Sequence, residues 1–222
     1  MSSSANQGFD FEGSYRLYLD GLLAADRRQC QGVFEKWLAS DASVRDIYQN
    51  LVQRSLYEIG ALWAQGTISV AVEHLATAIT ENLLNLAYPR LFSRPRSGRS
   101  AVVACVPDEF HQIGGRMVAD TFEFNGWRSY YLGSNFPSGA MNALIKDKRP
   151  DAVALSATLM SRVDALISAA GRIRDEFPEL PILAGGQALL GGGRQRVERL
   201  PSVRCLSSLQ DLEAWIKETG NV

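Results

Sequence analysis

The chain of 222 residues contains two histidines, His74 and His111, so each can be weighed by its neighbours. The segment Pro107-Asp108-Glu109-Phe110-His111-Gln112-Ile113-Gly114-Gly115 places a carboxylate two residues before His111 and a glycine three after it. On extended backbone, residues i and i+2 share a side, so Glu109 can reach one imidazole nitrogen of His111. That contact would fix the tautomer and raise the basicity of the other nitrogen, as is usual for a metal-bound histidine. Gly114 and Gly115 remove side chains where a bulky group would have to pass. Further on, Ser156 and Thr158 supply hydroxyls, and Gly185-Gly186 forms a second loop opened by glycine. A lone E-x-H can equally be a loop histidine beside a helix start. The second glycine pair is what suggests a slot. A separate group comprises Trp63, before a Gln65-Gly66 turn, with Val70, Glu73 and His74 on one helical face at i, i+3 and i+4. Taken alone, Trp63 could be core, and a glutamate near a helix N-terminus is favourable in any case.

The elements that must hold these residues fall into two patterns. Helical periodicity runs through Phe11–Ala24, then through Cys30, Val33, Phe34 and Leu38, and then from Val44 to Trp63. Ser43 and Asp46 suggest a capping box for the third helix, and Gly66 ends it. Ser69 caps a last helix carrying Val72, Leu75, Ala76, Ile79, Leu83 and Leu86. Four helices with short connections predict a bundle over 12–92, after a flexible N-terminus at 1–11. A polar linker follows at 93–100. Beyond it, strands expected at 101–106, 127–132, 152–156, 180–184 and near 203–206 alternate with helices at 112–125, 138–146, 161–176 and 209–218. Strict alternation predicts a parallel five-stranded sheet covered on both faces, a Rossmann-like, flavodoxin-like domain over 101–222. Such sheets bind ligands in the loops after their strands. His111, Ser156 and Gly185-Gly186 all fall there.

Composition excludes several classes. Net charge is −1, with no run of like charge, so direct nucleic-acid contact is not expected. The three cysteines are scattered without metal spacing, which suits a reducing compartment. No signal-like or membrane-length apolar stretch occurs, so a cytoplasmic protein without membrane contact is expected. The first loop lacks G-x-G-x-x-G, the second strand does not end in an acid, and no phosphate-cradling GxxxxGK[ST] is present.

The loop resembles the cobalamin-binding signature D-x-H-x-x-G with later S-x-L and G-G elements, here Glu109–Gly114, Ser156-Ala157-Thr158 and Gly185-Gly186. The resemblance implies that His111 ligates cobalt on its lower face in place of the cofactor's dimethylbenzimidazole. It also implies that Glu109 holds His111 while Gly114, Ser156 and Gly186 line the nucleotide-tail channel. Glu109 replaces the usual aspartate, and Thr158 stands where leucine is usual, offering a further hydroxyl. The group Trp63, Val70, Glu73 and His74 resembles the cap of CarH/LitR-type adenosylcobalamin photoreceptors, where the tryptophan covers the upper face and the Glu-His pair meets the adenosyl group. Those regulators carry a MerR-type DNA-binding domain, which is expected to be lacking here. They also carry a histidine after the tryptophan, where Ala64 stands, so only His74 could supply a second, upper axial imidazole.

Three functions are therefore expected in order. The first is a cobalamin-binding sensor, light-responsive and holding adenosylcobalamin or hydroxo/aquocobalamin. It would signal to a transcription regulator or other partner protein, as AerR/PpaA-type antirepressors do, and could form a homo-oligomer. The second is a corrinoid carrier protein of a methyltransferase system. The third is an interaction module that has lost the cofactor. On this ordering an enzyme is not the leading expectation.

Overall fold

A computed structural model describes residues 9–137 and 139–220. Most of the N-terminal stretch at 1–11, and Ser138 as the expected first residue of a helix, lie outside the described residues. Packing divides the chain into two compact units between Pro89 and Arg90.

The first unit is helical, and its helix starts are written in single side chains. Asp10 and Asp26 accept from the backbone N–H groups of Gly13 and Gln29, at 2.8 and 3.0 Å, starting α1 (Phe11–Leu23) and α2 (Arg27–Ala39). Ser43 and Asp46 form a reciprocal capping box. From it a helical run, α3, passes through Val44–Asp46, a π-helical stretch Ile47–Gln53 and Arg54–Ala64. Gly66, at φ +72°, ends it: its N–H donates to the Trp63 carbonyl and that of Thr67 to the Leu62 carbonyl. Ser69 caps α4 (Val70–Leu84), and short helical turns continue to Leu91. The core of this unit includes Tyr18, Leu22, Phe34, Trp37, Ile47, Tyr48, Leu51 and Ile59.

Apolar residues at helical spacing along α3 include Leu56 and Leu62 beside Ile47, Leu51 and Ile59. Leu56 and Leu62 are only half-buried, and Ser55 is buried instead. The π-helical winding shifts the face by one position. The Ser55 hydroxyl has no hydrogen-bond partner among the described residues. A buried unpaired hydroxyl costs about 1–3 kcal/mol. Ser55→Ala should therefore raise stability by about 1 kcal/mol, read as an upward shift in Tm; a lower Tm would show that the hydroxyl is satisfied.

The second unit is a parallel sheet of β1 (Ser100–Cys105), β2 (Arg128–Gly133), β3 (Ala152–Ser156), β4 (Ile182–Gly185) and β5 (Val203–Cys205), in the order β2-β1-β3-β4-β5. Alternate residues go to opposite faces. Val102, Ala104, Val153, Leu155, Ile182 and Ala184 pack under α6 (Ala140–Lys148) and α7 (Val163–Glu176). Ala101, Val103, Ala152, Ala154 and Leu183 pack under α5 (Ile113–Phe124) and α8 (Leu209–Gly220), where Phe122, Trp127 and Trp215 cluster. The expected flavodoxin-like layout is the one observed. A π-helical turn at Leu189–Gly193 and a short helix at Arg194–Val197, between β4 and β5, were not anticipated. Cys30 and Cys105 are buried and all three thiols are free. Among the described residues no helix is long and apolar enough to cross a membrane.

Candidate functional site

In the order 2-1-3-4-5 the chain leaves β1 and β3 toward opposite flanks of the sheet, so the loops after these neighbouring strands open a crevice between them. Their ends are in register: Cys105 pairs with Ser156, and Ser156 with Gly185. The sequence therefore puts the His111 loop and the Ser156-Ala157-Thr158 loop side by side.

Glu109 joins them. It is fully buried, and each of its oxygens accepts two hydrogen bonds. Oε1 takes the His111 N–H at 3.0 Å and the His111 ring Nδ1 at 2.5 Å. Oε2 takes the backbone N–H groups of Thr158 and Leu159, at 2.8 and 3.2 Å. Burial pushes the carboxyl pKa up, but the hydrogen bonds from the imidazole and the three N–H groups outweigh it and hold the group at about 2. An ionised carboxylate can only accept, so Nδ1 carries a proton, and in the neutral ring the lone pair is then on Nε2. The ring remains 39% exposed. This is an imidazole oriented by a buried anion and presented at a ligand-binding edge. Arg162, on the turn after the β3 loop, adds an ion pair at 3.8 Å to Asp108.

The glycines differ in what they do. A Cβ on Gly114 would lie 3.8 Å from the Ser156 hydroxyl, in ordinary contact, so the backbone leaves space between the start of α5 and the end of β3. A Cβ on Gly115 would come within 2.8 Å of the Cys105 sulfur and 3.4 Å of Tyr131. Gly115 therefore serves close helix–sheet packing, a different role from the open passage expected of it. Gly186, at φ +105°, has no room for a Cβ, which would sit 2.2 Å from the Ala157 carbonyl oxygen. Gly185 is less constrained, with its nearest neighbour at 3.6 Å. Thr158 meets the site through its backbone N–H to Glu109, where a side-chain hydroxyl contact was expected. Gly114→Ala should leave the fold intact or slightly stabilise it, by up to about 1 kcal/mol, because a glycine in the first turn of α5 gives way to a better helix former. Melting curves check this, and a loss of stability would show that the space is not free.

Four exposed apolar side chains stand in the same strand-end loops: Phe110 at 69%, Leu159 at 39%, Met160 at 46% and Leu190 at 53% exposure. Grouped exposed apolar residues mark ligand or partner surfaces. Each follows a strand end within a few residues, and its exposure carries no mark in the sequence.

In the helical unit, Trp63 and Val70 sit at the adjoining ends of α3 and α4 and are 43% and 48% exposed. The His74 Nδ1 lies 2.5 Å from Glu73 Oε2, and the Thr77 hydroxyl donates to Glu73 Oε1 at 3.0 Å.

Two family models, each described as a B12 binding domain, match residues 15–88 and 99–191. The chain belongs to the cobalamin-binding domain family. Among curated proteins it is 28% identical over 167 residues to the HTH-type transcriptional repressor CarH of Myxococcus xanthus, covering 74% of this chain and 54% of that protein. It is 29% identical over 119 residues to the repressor CarA of the same organism, covering 54% and 41%. The chain spans about half the length of the curated relatives it matches. In fold it is similar to the monomethylamine corrinoid protein of Methanosarcina barkeri, with a TM-score of 0.79 at 14% identity over 94% of this chain and 99% of that one. The methanol:cobalamin methyltransferase complex MtaBC of the same organism gives a TM-score of 0.52 at 11% identity, over 95% and 80%. At these identities the likeness is one of fold. The cofactor of this family is cobalamin, and the β1 and β3 loops suit it. A neutral imidazole with its lone pair on Nε2 is a donor that cobalt accepts, and the backbone at Gly114 leaves space beside it.

Proposed function

We propose that the chain is a cobalamin-binding sensor, in which residues 101–222 hold the cofactor, residues 12–92 cap it and 93–100 link the two. Bound cobalamin supplies a cobalt centre with two axial positions and, in its alkyl forms, a light-sensitive upper bond. His111 would hold the cobalt through Nε2, and Glu109 would keep the Nδ1 proton in place. Gly114, Ser156, Thr158, Gly185 and Gly186 accommodate the nucleotide tail. Trp63, Val70, Glu73 and His74 attend the upper ligand, and His74 is the imidazole available to replace it. Light is the input, and the output passes to a transcription regulator or another signalling partner. The observation that carries the reading is the buried Glu109 carboxylate holding Nδ1 of His111. Support for a regulatory role comes from the names of the relatives, both repressors.

The test is to load the full chain with adenosylcobalamin anaerobically in the dark and then illuminate it. The visible spectrum and the oligomeric state should both change, and His111→Ala should weaken binding at least about tenfold and remove the imidazole-bound spectrum. Spectra and size unchanged by light would sink the sensor reading. His111→Ala indistinguishable from the unaltered chain would sink the ligand assignment. The fold shared with a corrinoid protein keeps a second reading in view, a methyl-carrying partner of a methyltransferase. Methylation of the bound cobalt by such an enzyme would favour it. Trp63, Glu73 and His74 rank it second, since a bulky set on the upper side would obstruct a methyltransferase.

A further inference from the structure

The two histidines are wired alike, although they lie in different units. In each, Nδ1 lies 2.5 Å from a glutamate oxygen, and the other oxygen of that glutamate is held by a further donor. For Glu109 the further donors are backbone N–H groups of a strand-end loop. For Glu73 the donor is the Thr77 hydroxyl, one helical turn on at i+4.

We propose that Thr77 is a positioning residue that, through Glu73, fixes the His74 tautomer with the proton on Nδ1 and the lone pair on Nε2. Glu73 and His74 are adjacent in sequence, and the imidazole is 74% exposed whereas the carboxylate is 15% exposed. A contact between neighbours with one member so exposed gains little by itself, because ordering both side chains offsets the attraction. A neutral imidazole left to itself favours the tautomer with its proton on Nε2. The Thr77 hydroxyl removes most of the ordering cost. It occupies Oε1, anchors the carboxylate to the helix surface and turns Oε2 toward His74 before the imidazole arrives. Threonine is suited to this because its β-branch limits χ1 in a helix to two main rotamers. The result is a second Nε2 lone pair, able to ligate a metal or to accept from a hydroxyl. Its use toward cobalt rests on the sensor reading above. The tautomer does not.

The experiment uses the full chain without corrinoid, 15N-labelled at histidine, well above the pH range of imidazole titration. Two histidines give two ring patterns, assigned with His74→Gln. Both should show a proton-bearing Nδ1. Thr77→Val keeps the shape and removes the hydroxyl. It should shift the His74 tautomer ratio about fivefold toward Nε2–H, the change expected from losing one ordinary hydrogen bond. Thr77→Ser should restore the original ratio. The His111 pattern should stay constant and reports that the chain is folded. A His74 that carries its proton on Nε2 in the unaltered chain, or a ratio indifferent to Thr77→Val, would overturn the proposal. Illuminated protein loaded with adenosylcobalamin is measured separately. If its spectrum lacks a second imidazole while the tautomer result holds, the upper-ligand reading of His74 falls and the role of Thr77 stands.

Discussion

Glu109→Gln should destabilise the corrinoid-free chain by about 3 kcal/mol, read as a lower urea midpoint with an unchanged slope. Glutamine matches the size and removes half the accepting capacity. One side of the amide still accepts from His111, but its NH2 then faces the Thr158 and Leu159 N–H groups, which are donors themselves. Leaving buried donors unpaired costs about 1–3 kcal/mol. Acid should reveal the same energy in the unaltered chain. The Glu109 pKa is depressed in the folded state, to about 2 from 4.5, so its contribution is complete above about 4.5 and is lost as pH falls toward 2. At about 1.4 kcal/mol per pH unit the whole is again about 3 kcal/mol. Glu109→Gln should flatten that part of the acid profile. A variant with unchanged midpoint and unchanged acid slope would show that the carboxylate does not bridge the loops. Glu109→Asp, the residue usual in the resembled signature, is one methylene shorter. It should keep one of the two loops and lose part of the stability.

Gly186→Ala should be strongly damaging for a single added methyl, at roughly 3 kcal/mol or more. Two independent costs combine. A φ of +105° is strained for any residue with a Cβ, at about 1–3 kcal/mol. The added carbon would also sit 2.2 Å from the backbone oxygen of Ala157, which cannot swing away as a side chain could. That oxygen already accepts the Ala188 N–H at 3.2 Å, and the Ala157 N–H donates to the Gly185 carbonyl at 3.1 Å, so relief requires moving the end of β3 or of β4. Thermal melting of Gly186→Ala beside Gly185→Ala makes the comparison. The second has a nearest neighbour at 3.6 Å and no positive φ, so it should be much milder. Equal losses would mean that the loop relaxes freely and that Gly186 is not held by packing.

These contrasts show what a sequence can and cannot reveal here. The two units were legible because their periodicities differ, from 3.6 through the helices to 2 in strands whose residues alternate between two buried faces. The Glu109–His111 pair was legible because both partners are side chains at fixed spacing. What Glu109 does with its second oxygen was not. Its donors are backbone N–H groups 49 and 50 residues away, and a main-chain group carries no mark in the sequence. Thr158 illustrates the same limit, since its chemistry here comes from its N–H. Gly114 and Gly115 are adjacent and identical in type, yet one opens a space and the other closes a contact with Cys105. Only the direction of each missing Cβ separates them. The burial of Ser55 in place of Leu56 was hidden for another reason. It follows from a winding change upstream that the apolar pattern does not announce.

That winding change lets the helix carry a surplus residue. Ile47, Leu51, Ser55 and Ile59 are all buried at a strict interval of four. In regular α-helix each interval of four overshoots a turn by about 40°, so three would carry Ile59 roughly 120° out of line. The wider turn at Ile47–Gln53 absorbs the overshoot and keeps one stripe facing inward. Deleting a single residue there would let the helix wind regularly. The tighter winding would return most of the roughly 100° that the lost residue takes away, so Arg54 to Gly66, Trp63 included, would nearly keep their azimuth. A single deletion within Ile47–Gln53 is thus absorbed by the winding, whereas the same deletion in the regular turns between Arg54 and Trp63 would swing the tryptophan by about 100°.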